Sequence, residues 1–443
     1  MSGNSQDMGS PPKKKVVKAL GGSFERNGKK YIFEQVFRAN EEPHYLFAVY
    51  DGEKVSYVRE IKLNGVVYLP LKNLLIQKGV VLLPEKAEEF ETEAKLIEDI
   101  RHHIHRGVQY PEEFELLDSY YVLITWNSEK LSALPYRRAI GAKGRGKSRW
   151  GNEVVGPLCF RPMRTSCATK AALFRLIEMF HGTMIMDEAD QRYSELYSDY
   201  VKILNSGYKR GNPVILVNPN TFKLESFDVF GPKLIMTRGP FADPALEDRC
   251  VTHRAVRLTR RDIPKHLPPE YKEEEKKLRN QLFMWRLKNY FNPIGPDAEF
   301  DSLPVEPRIV EILSPIASIM KDTEVRNQLK KFARSLHDQG LQERRESLPA
   351  EVLVALLRLC AGGQILQVGR IADLVRQRLG LTEEKLSDKR CGSIIRRDLG
   401  LETRRERVDG GIVARVAVWH EKRIAELVEE YGIRIGDVFD ENL

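Results

Sequence analysis

The most informative segment of the chain is Gly141-Ala142-Lys143-Gly144-Arg145-Gly146-Lys147-Ser148. It matches G-x-x-x-x-G-K-[ST], a turn in which Gly141, Gly144 and Gly146 let backbone N–H groups surround the β-phosphate of a nucleotide. In this pattern Lys147 reaches the β- and γ-phosphates, and the Ser148 hydroxyl binds Mg²⁺. The segment 136–140 indicates a short strand before the loop, and 148–155 can begin a helix whose N-terminus favours an anion. The stretch therefore predicts ATP and Mg²⁺ as cofactors.

A short apolar run, 182–186, is followed by Asp187-Glu188-Ala189-Asp190. At the tip of a buried strand, Asp187 is suited to hold Mg²⁺ through water, and Glu188 is suited to polarise the attacking water. An acidic loop alone indicates only solvation. Downstream of a phosphate-binding loop, it predicts an ATPase.

Composition narrows the class of protein. The 443 residues leave room for two to four domains, and 42% apolar with 30% charged residues is ordinary for a globular chain. No apolar run approaches the length of a membrane span, and no signal peptide opens the chain. The five cysteines lack C-x-x-C spacing and are typical of reduced thiols in a cytoplasmic protein. A net charge of +8 is compatible with a polyanionic partner.

Residue patterns divide residues 1–120 into three segments. Residues 1–20 are polar and basic and predict a disordered tail, whereas 21–84 alternate short apolar runs with Asx-Gly turns and predict a small β-rich domain. Residues 85–120 predict a helical connector. It contains His102, His103 and His105, which suggest a metal site, but adjacent helical residues point in different directions, so a solvated helix end is the better interpretation.

Residues 121–321 predict an α/β nucleotide-binding core with a helical lid. Strands are expected at 158–161, 182–186 and 233–237, helices at 169–180 and 194–206, and a hairpin at 213–217 and 222–227. Alternation of strands and helices is typical of a parallel sheet. The polar segment 322–349 suits a linker.

Residues 350–443 predict three helices followed by a β-ribbon, the winged-helix variant of the helix-turn-helix. Basic residues on the third helix and the ribbon are expected to contact DNA: Lys389, Arg390, Arg396, Arg397, Arg404 and Arg405. Winged helices also bind proteins, so that alternative stays open.

With these motifs in place, the chain resembles a AAA+ helicase-like ATPase of mobile genetic elements. It is similar to a replication-associated ATPase family of unknown function, and to the minichromosome-maintenance and superfamily 3 helicases. The likeness lies in 182–258, which includes Asp187-Glu188-Ala189-Asp190 and Leu246-Glu247-Asp248-Arg249, and in 307–319.

The resemblance implies further site residues. Thr237 stands where a sensor residue orients the attacking water, and Arg249 where an arginine finger reaches the γ-phosphate bound by a neighbouring subunit. Arg308 stands where a second sensor contacts nucleotide in its own subunit. Each residue also has a purely structural interpretation. Thr237 would cap a strand, Arg249 would pair with Asp248 on the surface, and Arg308 would be a solvated helix residue.

In the same relatives a hairpin lines a central pore and grips DNA. Here that hairpin carries Asn220 and Lys223, and Lys209 and Arg210 lead into it. Lysines on a hairpin also occur simply as soluble edges.

The leading hypothesis is a ring-forming, hexameric, ATP-hydrolysing DNA helicase or translocase in the replication of a mobile element, plasmid or virus. Single-stranded DNA would lie in the pore and duplex at the winged helix, without a membrane. The first alternative is a nucleotide-switched DNA-binding initiator, loader or regulator that does not unwind DNA. The second is a signalling ATPase whose C-terminal module binds protein.

Overall fold

The computed structural model describes residues 15–39, 44–165, 169–187, 195–218, 220–408, 411–434, 436 and 438. The chain divides into two units, Met1–Lys330 and Lys331–Leu443. The strands are β1 (Lys15–Ala19), β2 (Gly21–Arg26), β3 (Lys29–Arg38), β4 (His44–Tyr50), β5 (Val55–Val58), β6 (Ile61–Leu63), β7 (Val66–Pro70), β8 (Tyr136–Ile140), β9 (Met163–Thr165), β10 (Met184–Met186), β11 (Val214–Val217), β12 (Leu224–Phe227), β13 (Lys233–Thr237), β14 (Cys250–Arg254), β15 (Thr403–Arg407) and β16 (Val413–Ala417).

The α-helices are α1 (Leu74–Gln77), α2 (Glu93–Gly107), α3 (Glu112–Thr125), α4 (Lys147–Arg149), α5 (Lys170–Phe180), α6 (Glu195–Ser206), α7 (Pro244–Glu247), α8 (Pro269–Asn289), α9 (Ala298–Asp301), α10 (Pro307–Ala317), α11 (Thr323–Arg345), α12 (Leu348–Ala361), α13 (Val368–Leu379), α14 (Asp388–Arg397) and α15 (Glu421–Glu430). Within the described ranges, no helix combines the length and the apolar character that crossing a membrane requires.

Tight turns and alternating apolar residues build two small sheets at the start of the first unit. Strands β2 to β5 form an antiparallel sheet in chain order, while β7 pairs in parallel with β1 and antiparallel with β6. Asn27 and Gly28 both have left-handed backbones, at φ 53° and 74°, as a two-residue hairpin turn requires. Phe33, Phe47 and Ile61 form the core that joins the two sheets.

The predicted tail, 1–20, is wrong for Lys15–Ala19. These residues form β1, which is registered along β7. Residues 1–14 lie outside the described part of the chain. A polar, basic sequence can supply a short edge strand, because the pairing partner, rather than propensity, supplies the hydrogen bonds.

Glu34, on β3, ties these small sheets to the rest of the first unit. Its buried carboxylate accepts hydrogen bonds from Arg286 Nε at 3.0 Å and Nη2 at 2.7 Å, and its other oxygen pairs with Arg161. Arg286 lies in α8, and Arg161 shortly precedes β9. The segments predicted as a separate β domain and as an ATPase core therefore share a buried ionic network.

Replacing Glu34 with glutamine should destabilise the first unit by about 3–5 kcal/mol, because two buried guanidinium groups would lose their carboxylate. Burial opposes ionisation, but the charges of Arg161 and Arg286 prevail and lower the pKa of Glu34 below its ordinary 4.5. This stabilisation is therefore present above pH 4.5 and is lost as the pH falls through the lowered pKa. Urea unfolding at neutral and acidic pH measures both effects.

The control for this measurement is Glu25→Gln, a change to an exposed carboxylate on β2. Equal unfolding midpoints for wild type, Glu25→Gln and Glu34→Gln at neutral pH would contradict the stabilising role of the network.

The centre of the first unit is a five-stranded, all-parallel sheet in the order β14-β8-β13-β10-β9. The chain passes from β8 to the far edge at β9, returns through β10 and β13, and then crosses to β14. All residues of β8 and β13 are buried. The expected α/β architecture with a parallel sheet is confirmed. Because the strands run in one direction, their carboxyl ends share one edge, where ligands bind in such sheets.

One strand prediction is wrong, and the segment predicted as a linker is helical. The strand expected at 158–161 lies instead at Met163–Thr165, and Leu158 ends a 3₁₀ turn. A short apolar run is buried in either conformation, so its periodicity cannot locate the strand. The expected linker, 322–349, is mostly the helix α11, in which Leu329 and Ala333 are buried one turn apart.

The second unit contains the elements expected for 350–443. Helices α12, α13 and α14 precede the antiparallel pair β15–β16. Helix α15, which was not predicted, follows the ribbon. Buried residues from all four helices share one core, among them Leu353, Ile371, Ile395 and Leu427.

Candidate nucleotide-binding site

The glycine-rich stretch lies at the carboxyl edge of the parallel sheet. It leaves the buried strand β8 and ends at the first residues of α4. Gly144 and Gly146 have φ of 77° and 82°, a left-handed backbone that other residues adopt only with strain. No atom lies within 4 Å of the position where a side chain on Gly144 would begin. The loop therefore has the open, tightly turned form that the motif predicts.

The Lys147 ammonium group lies against this loop. Its Nζ donates to the carbonyl oxygen of Gly141 at 2.6 Å and to that of Ala142 at 2.9 Å. Ser148 follows and is exposed. Both side chains expected to meet phosphate and metal thus lie where β8 gives way to helix.

The helix after the loop has an unusual hydrogen-bonding pattern. After α4 it continues as one π turn, Trp150–Val154, closed by a hydrogen bond from Val155 N to Trp150 O at 2.9 Å. Such turns occur often at functional sites. The turn carries Asn152, whose Nδ2 donates to Asp187 Oδ2 at 3.2 Å.

Asp187 directly follows β10 and so lies at the same edge of the sheet as the loop. Its contact with Asn152 connects the predicted metal-binding carboxylate to the helix behind Ser148. The sequence analysis did not single out Asn152, although its place one turn after Ser148 puts both on one helix face. Glu188, the predicted water-polarising residue, lies outside the described residues.

Thr237 ends β13, the strand between β8 and β10. Its carbonyl oxygen accepts a hydrogen bond from Gly141 N at 3.2 Å, so it adjoins the start of the glycine-rich loop. The side chain is fully buried, and its hydroxyl has no hydrogen-bond partner among the described residues. A buried hydroxyl without a partner costs about 1–3 kcal/mol, so this position is suited to a polar ligand or a bound water.

These residues fit ATP and Mg²⁺. The glycine-rich turn is open, Lys147 provides positive charge, and Thr237 has an unused hydroxyl. Asp187 contributes a carboxylate to the same edge. Neighbouring strands are about 4.8 Å apart, so the ends of β8, β13 and β10 span roughly 10 Å.

Asp118, on α3, contacts the strand before the glycine-rich loop and the helix after it. Its Oδ1 accepts a hydrogen bond from Arg137 on β8, and its Oδ2 accepts one from Trp150 Nε1 at 2.8 Å. Arg137 Nη2 also donates to His253 Nδ1 at 3.3 Å. Burial, and then the charge of Arg137, lower the pKa of His253 well below 6.5, which leaves the ring neutral and able to accept this bond. No local motif indicated this cluster.

Arg249 lies at the opposite edge of the sheet. Its carbonyl oxygen accepts a hydrogen bond from Tyr136 N at 3.0 Å, beside the first residue of β8, whereas the glycine-rich loop follows the last. Its guanidinium group donates to Asn205 Oδ1 and lies 5.6 Å from the centre of the Tyr208 ring. Five residues of strand place it roughly 15 Å from the loop of its own chain.

Arg308 lies with Arg249. It is 5.5 Å from the centre of the same Tyr208 ring and pairs with Glu311. Burial raises the pKa of Tyr208 to about 12, so the phenol between the two arginines is neutral. The expected position of Arg308, beside the nucleotide of its own chain, is not the position that the structure gives it.

The cations that lead into the hairpin β11–β12 are engaged with the protein itself. Lys209 pairs with Glu311, and Arg210 donates to the carbonyl oxygens of Glu129 at 2.6 Å and Leu131 at 3.2 Å. Asn220 and Lys223 lie in the turn between the two strands. They are exposed.

The six basic residues singled out in the second unit are exposed. Arg396 Nη1 donates to Thr403 Oγ1 at 3.3 Å, which places the end of α14 beside β15. Arg390 donates to the carbonyl oxygen of Lys385, and Arg404 pairs with Glu406. Among the described residues, no ion pair involves Lys389, Arg397 or Arg405.

The histidines of α2 do not form a metal site. His103 is buried and stacked on Tyr271 at 3.9 Å between ring centres, while His105 lies 3.0 Å from Glu115. The described ranges contain no group of three or more His, Cys, Asp or Glu residues able to hold a metal ion.

No family model and no curated protein matches this sequence. Among solved structures, the chain is similar to the apo C-terminal region of NrS-1, with 10% sequence identity and a TM-score of 0.38, over 88% of this chain and 96% of that chain. It is also similar to SCCmec type IV Cch, an active helicase, with 10% identity and a TM-score of 0.37, over 90% of this chain and 80% of that chain. Likeness at this level carries no weight for function, so the conclusions below depend on the residues and geometry of the site.

Proposed function

We propose that the protein is a ring-forming, hexameric ATPase that couples ATP hydrolysis to translocation along DNA and to its unwinding. The observation that carries the proposal is the division of the predicted catalytic residues between two edges of one sheet. Lys147, Asp187 and Thr237 lie at the carboxyl edge, and Arg249 lies at the amino edge.

Bound Mg²⁺-ATP would supply the γ-phosphoryl group and a divalent cation that offsets its charge. In this proposal Lys147 exchanges its two loop carbonyls for phosphate oxygens. Ser148 and Asp187 hold the metal, with Asp187 oriented by Asn152. Thr237 orients the attacking water, and Glu188 polarises it.

Arg249 lies roughly 15 Å of strand away from the loop of its own chain, and Arg308 lies beside it on Tyr208, so in this proposal both serve the nucleotide of a neighbouring copy. They can contact a nucleotide only where the amino edge of one copy faces the carboxyl edge of the next. Such head-to-tail contacts generate a ring when the rotation between copies closes. The structural alternatives for these arginines are surface pairing and solvation. Neither alternative explains why both guanidinium groups lie beside the same neutral Tyr208 ring.

The basic face of α14 and β15 supports contact with duplex DNA. Six exposed cations on a helix and an adjoining ribbon match the arrangement in which a winged helix inserts its third helix into the major groove. Together with the resemblance of 182–258 and 307–319 to helicase-like ATPases, this supports a role in replication of a mobile element, plasmid or virus.

Reversing the charge of Arg396 and Arg397 to glutamate should weaken duplex binding and lower the slope of log affinity against log salt by up to about 0.9 per lost phosphate contact. Fluorescence anisotropy across a salt series measures both. Lys422→Glu, at an exposed position of α15, is the matched control. Unchanged affinity and slope in the double variant would assign this face to a protein partner.

Strand displacement tests the proposed activity directly. The full-length protein, with Mg²⁺ and ATP, should release the labelled strand of a forked duplex, and a non-hydrolysable ATP analogue should not support the release. A protein that hydrolyses ATP and binds DNA yet leaves the fork intact would be the nucleotide-switched regulator instead.

A further inference from the structure

Lys233, the first residue of β13, buries its ammonium group at the amino edge of the parallel sheet. Its Nζ donates to the carbonyl oxygen of Val229 at 2.9 Å, to that of Gly231 at 3.0 Å and to that of Gly207 at 3.4 Å. An ammonium group has three N–H donors and no acceptor, so these three oxygens match it. Lysine is almost never fully buried unless its charge has partners, and here the main chain provides them.

The three carbonyl groups belong to two segments that meet only at this ammonium. Gly207 directly follows α6, whereas Val229 and Gly231 lie between β12 and β13. The approach is close, because a Cβ atom on Gly207 would lie 2.3 Å from Val229 O and 2.6 Å from Lys233 Nζ. Lys233 therefore fixes the end of α6 against the sheet.

The end of α6 carries the side chains that hold Arg249. Asn205 precedes Gly207 by two residues, and Tyr208 follows it. The Arg249 guanidinium group donates to Asn205 Oδ1 and lies 5.6 Å from the centre of the Tyr208 ring. A shift of the Gly207 carbonyl group would therefore move both contacts of Arg249.

Tyr136, the first residue of β8, connects the same groups from the sheet. The centre of its ring lies 5.0 Å from Lys233 Nζ and 6.2 Å from the centre of the Tyr208 ring. Its backbone N–H donates to the carbonyl oxygen of Arg249 at 3.0 Å. Burial raises the pKa of Tyr136 well above 10, so the ring between these cations is neutral.

We propose that Lys233 is a positioning residue for Arg249, because its ammonium group fixes the end of α6 and so sets the direction in which Arg249 reaches a neighbouring copy. This inference rests on the proposed function, in which Arg249 acts between copies. The glycine-rich loop of the same chain is remote from the ammonium. Thr237, at the loop end of β13, is four residues along the strand, roughly 13 Å away. Loss of the ammonium should therefore impair what a subunit offers its neighbour and spare its own nucleotide site.

The test places Lys233→Met in one partner of a mixture of inactive variants at a time. The reference mixture joins Lys147→Ala, which offers Arg249, to Arg249→Ala, which offers the loop. Adding Lys233→Met to the Lys147→Ala partner should lower the recovered ATP turnover by up to about 10²-fold, the loss that a 1 Å misplacement can cause. Adding it to the Arg249→Ala partner should leave the recovery at the reference level.

A second variant disturbs the same contact from the other side. Gly207→Ala in the Lys147→Ala partner should reproduce the loss, because its methyl group would displace the Lys233 ammonium and the Val229 carbonyl. Lys276→Met in that partner, at an exposed lysine of α8, is the control and should change nothing. A general folding defect lowers both Lys233→Met mixtures alike, so an equal loss in the two, or no loss in either, would overturn the proposal.

Hydrogen exchange measures the positioning without ATP or assembly. In full-length Lys233→Met, backbone amides in 205–210 and 229–232 should exchange about tenfold faster or more than in the wild type, because hydrogen bonds to a charged group are lost. Amides in 141–155 should exchange at the wild-type rate. Unchanged exchange at the end of α6 would overturn the positioning role, whereas an inactive reference mixture would count against the proposed function instead.

Discussion

A Lys147→Ala variant should hydrolyse ATP about 10²–10³-fold more slowly than the wild type, the loss expected when one preorganised donor to a reacting oxyanion is removed. The Lys147 ammonium already lies 2.6 Å from one loop carbonyl oxygen and 2.9 Å from another. It therefore needs only a local change of partner to reach phosphate oxygens. A coupled assay that monitors phosphate release at saturating ATP measures the loss.

The control for Lys147 is Lys276→Ala, which removes an exposed lysine paired with Glu273 on α8. It should retain wild-type turnover. Because the Lys147 side chain is partly exposed, its truncation should leave the unfolding midpoint unchanged. Near-normal turnover by a folded Lys147→Ala protein would show that Gly141–Ser148 does not hold the phosphates.

Mixing two inactive variants should restore ATP turnover. Arg249→Ala keeps an intact glycine-rich loop but lacks the arginine offered to a neighbour, and Lys147→Ala has the reverse defect. Arg249→Ala alone should fall about 10³-fold or more below the wild type if Arg249 acts as a finger, and Lys147→Ala alone by the smaller factor given above. In an equal random mixture, about a quarter of head-to-tail interfaces join an intact loop to an intact Arg249, so a measurable fraction of turnover should return.

The recovery requires assembly, so it should rise with protein concentration. The matched control mixes Lys147→Ala with a Lys147→Ala/Arg249→Ala double variant, which contains no intact loop and should stay inactive. Arg308→Ala mixed with Lys147→Ala should also recover, since Arg308 lies beside Arg249 on Tyr208. If subunit exchange is demonstrated and the first mixture stays inactive, Arg249 does not act between copies.

Much of the candidate site could be predicted because its residues stand at strand ends. Gly141, Asp187 and Thr237 each end or follow a short strand, and in a parallel sheet these ends meet at one edge. The local pattern also placed the Asn27-Gly28 turn and the β11–β12 hairpin, where a few adjacent residues set the backbone.

Other features depend on partners far along the chain. Asp118 contacts Arg137 and Trp150, and Glu34 contacts Arg161 and Arg286, in buried clusters that no short motif announces. The helix over 322–349 was missed because its polar composition outweighed the two buried positions one turn apart. Likewise, Arg308 could be assigned to a helix from sequence, but not to an edge of the sheet.

The glycine-rich loop, the acidic residues after β10 and the alternation that makes a parallel sheet could be predicted from the sequence, because these are contiguous patterns governed by local backbone geometry. The edge of the sheet that each arginine occupies and the pairing of the buried charges could be seen only in the folded chain. Those outcomes depend on strand order and on packing between distant segments, since a buried charge must find its counter-charge wherever the fold brings one. The proposed division of catalysis between copies follows from that second set of facts.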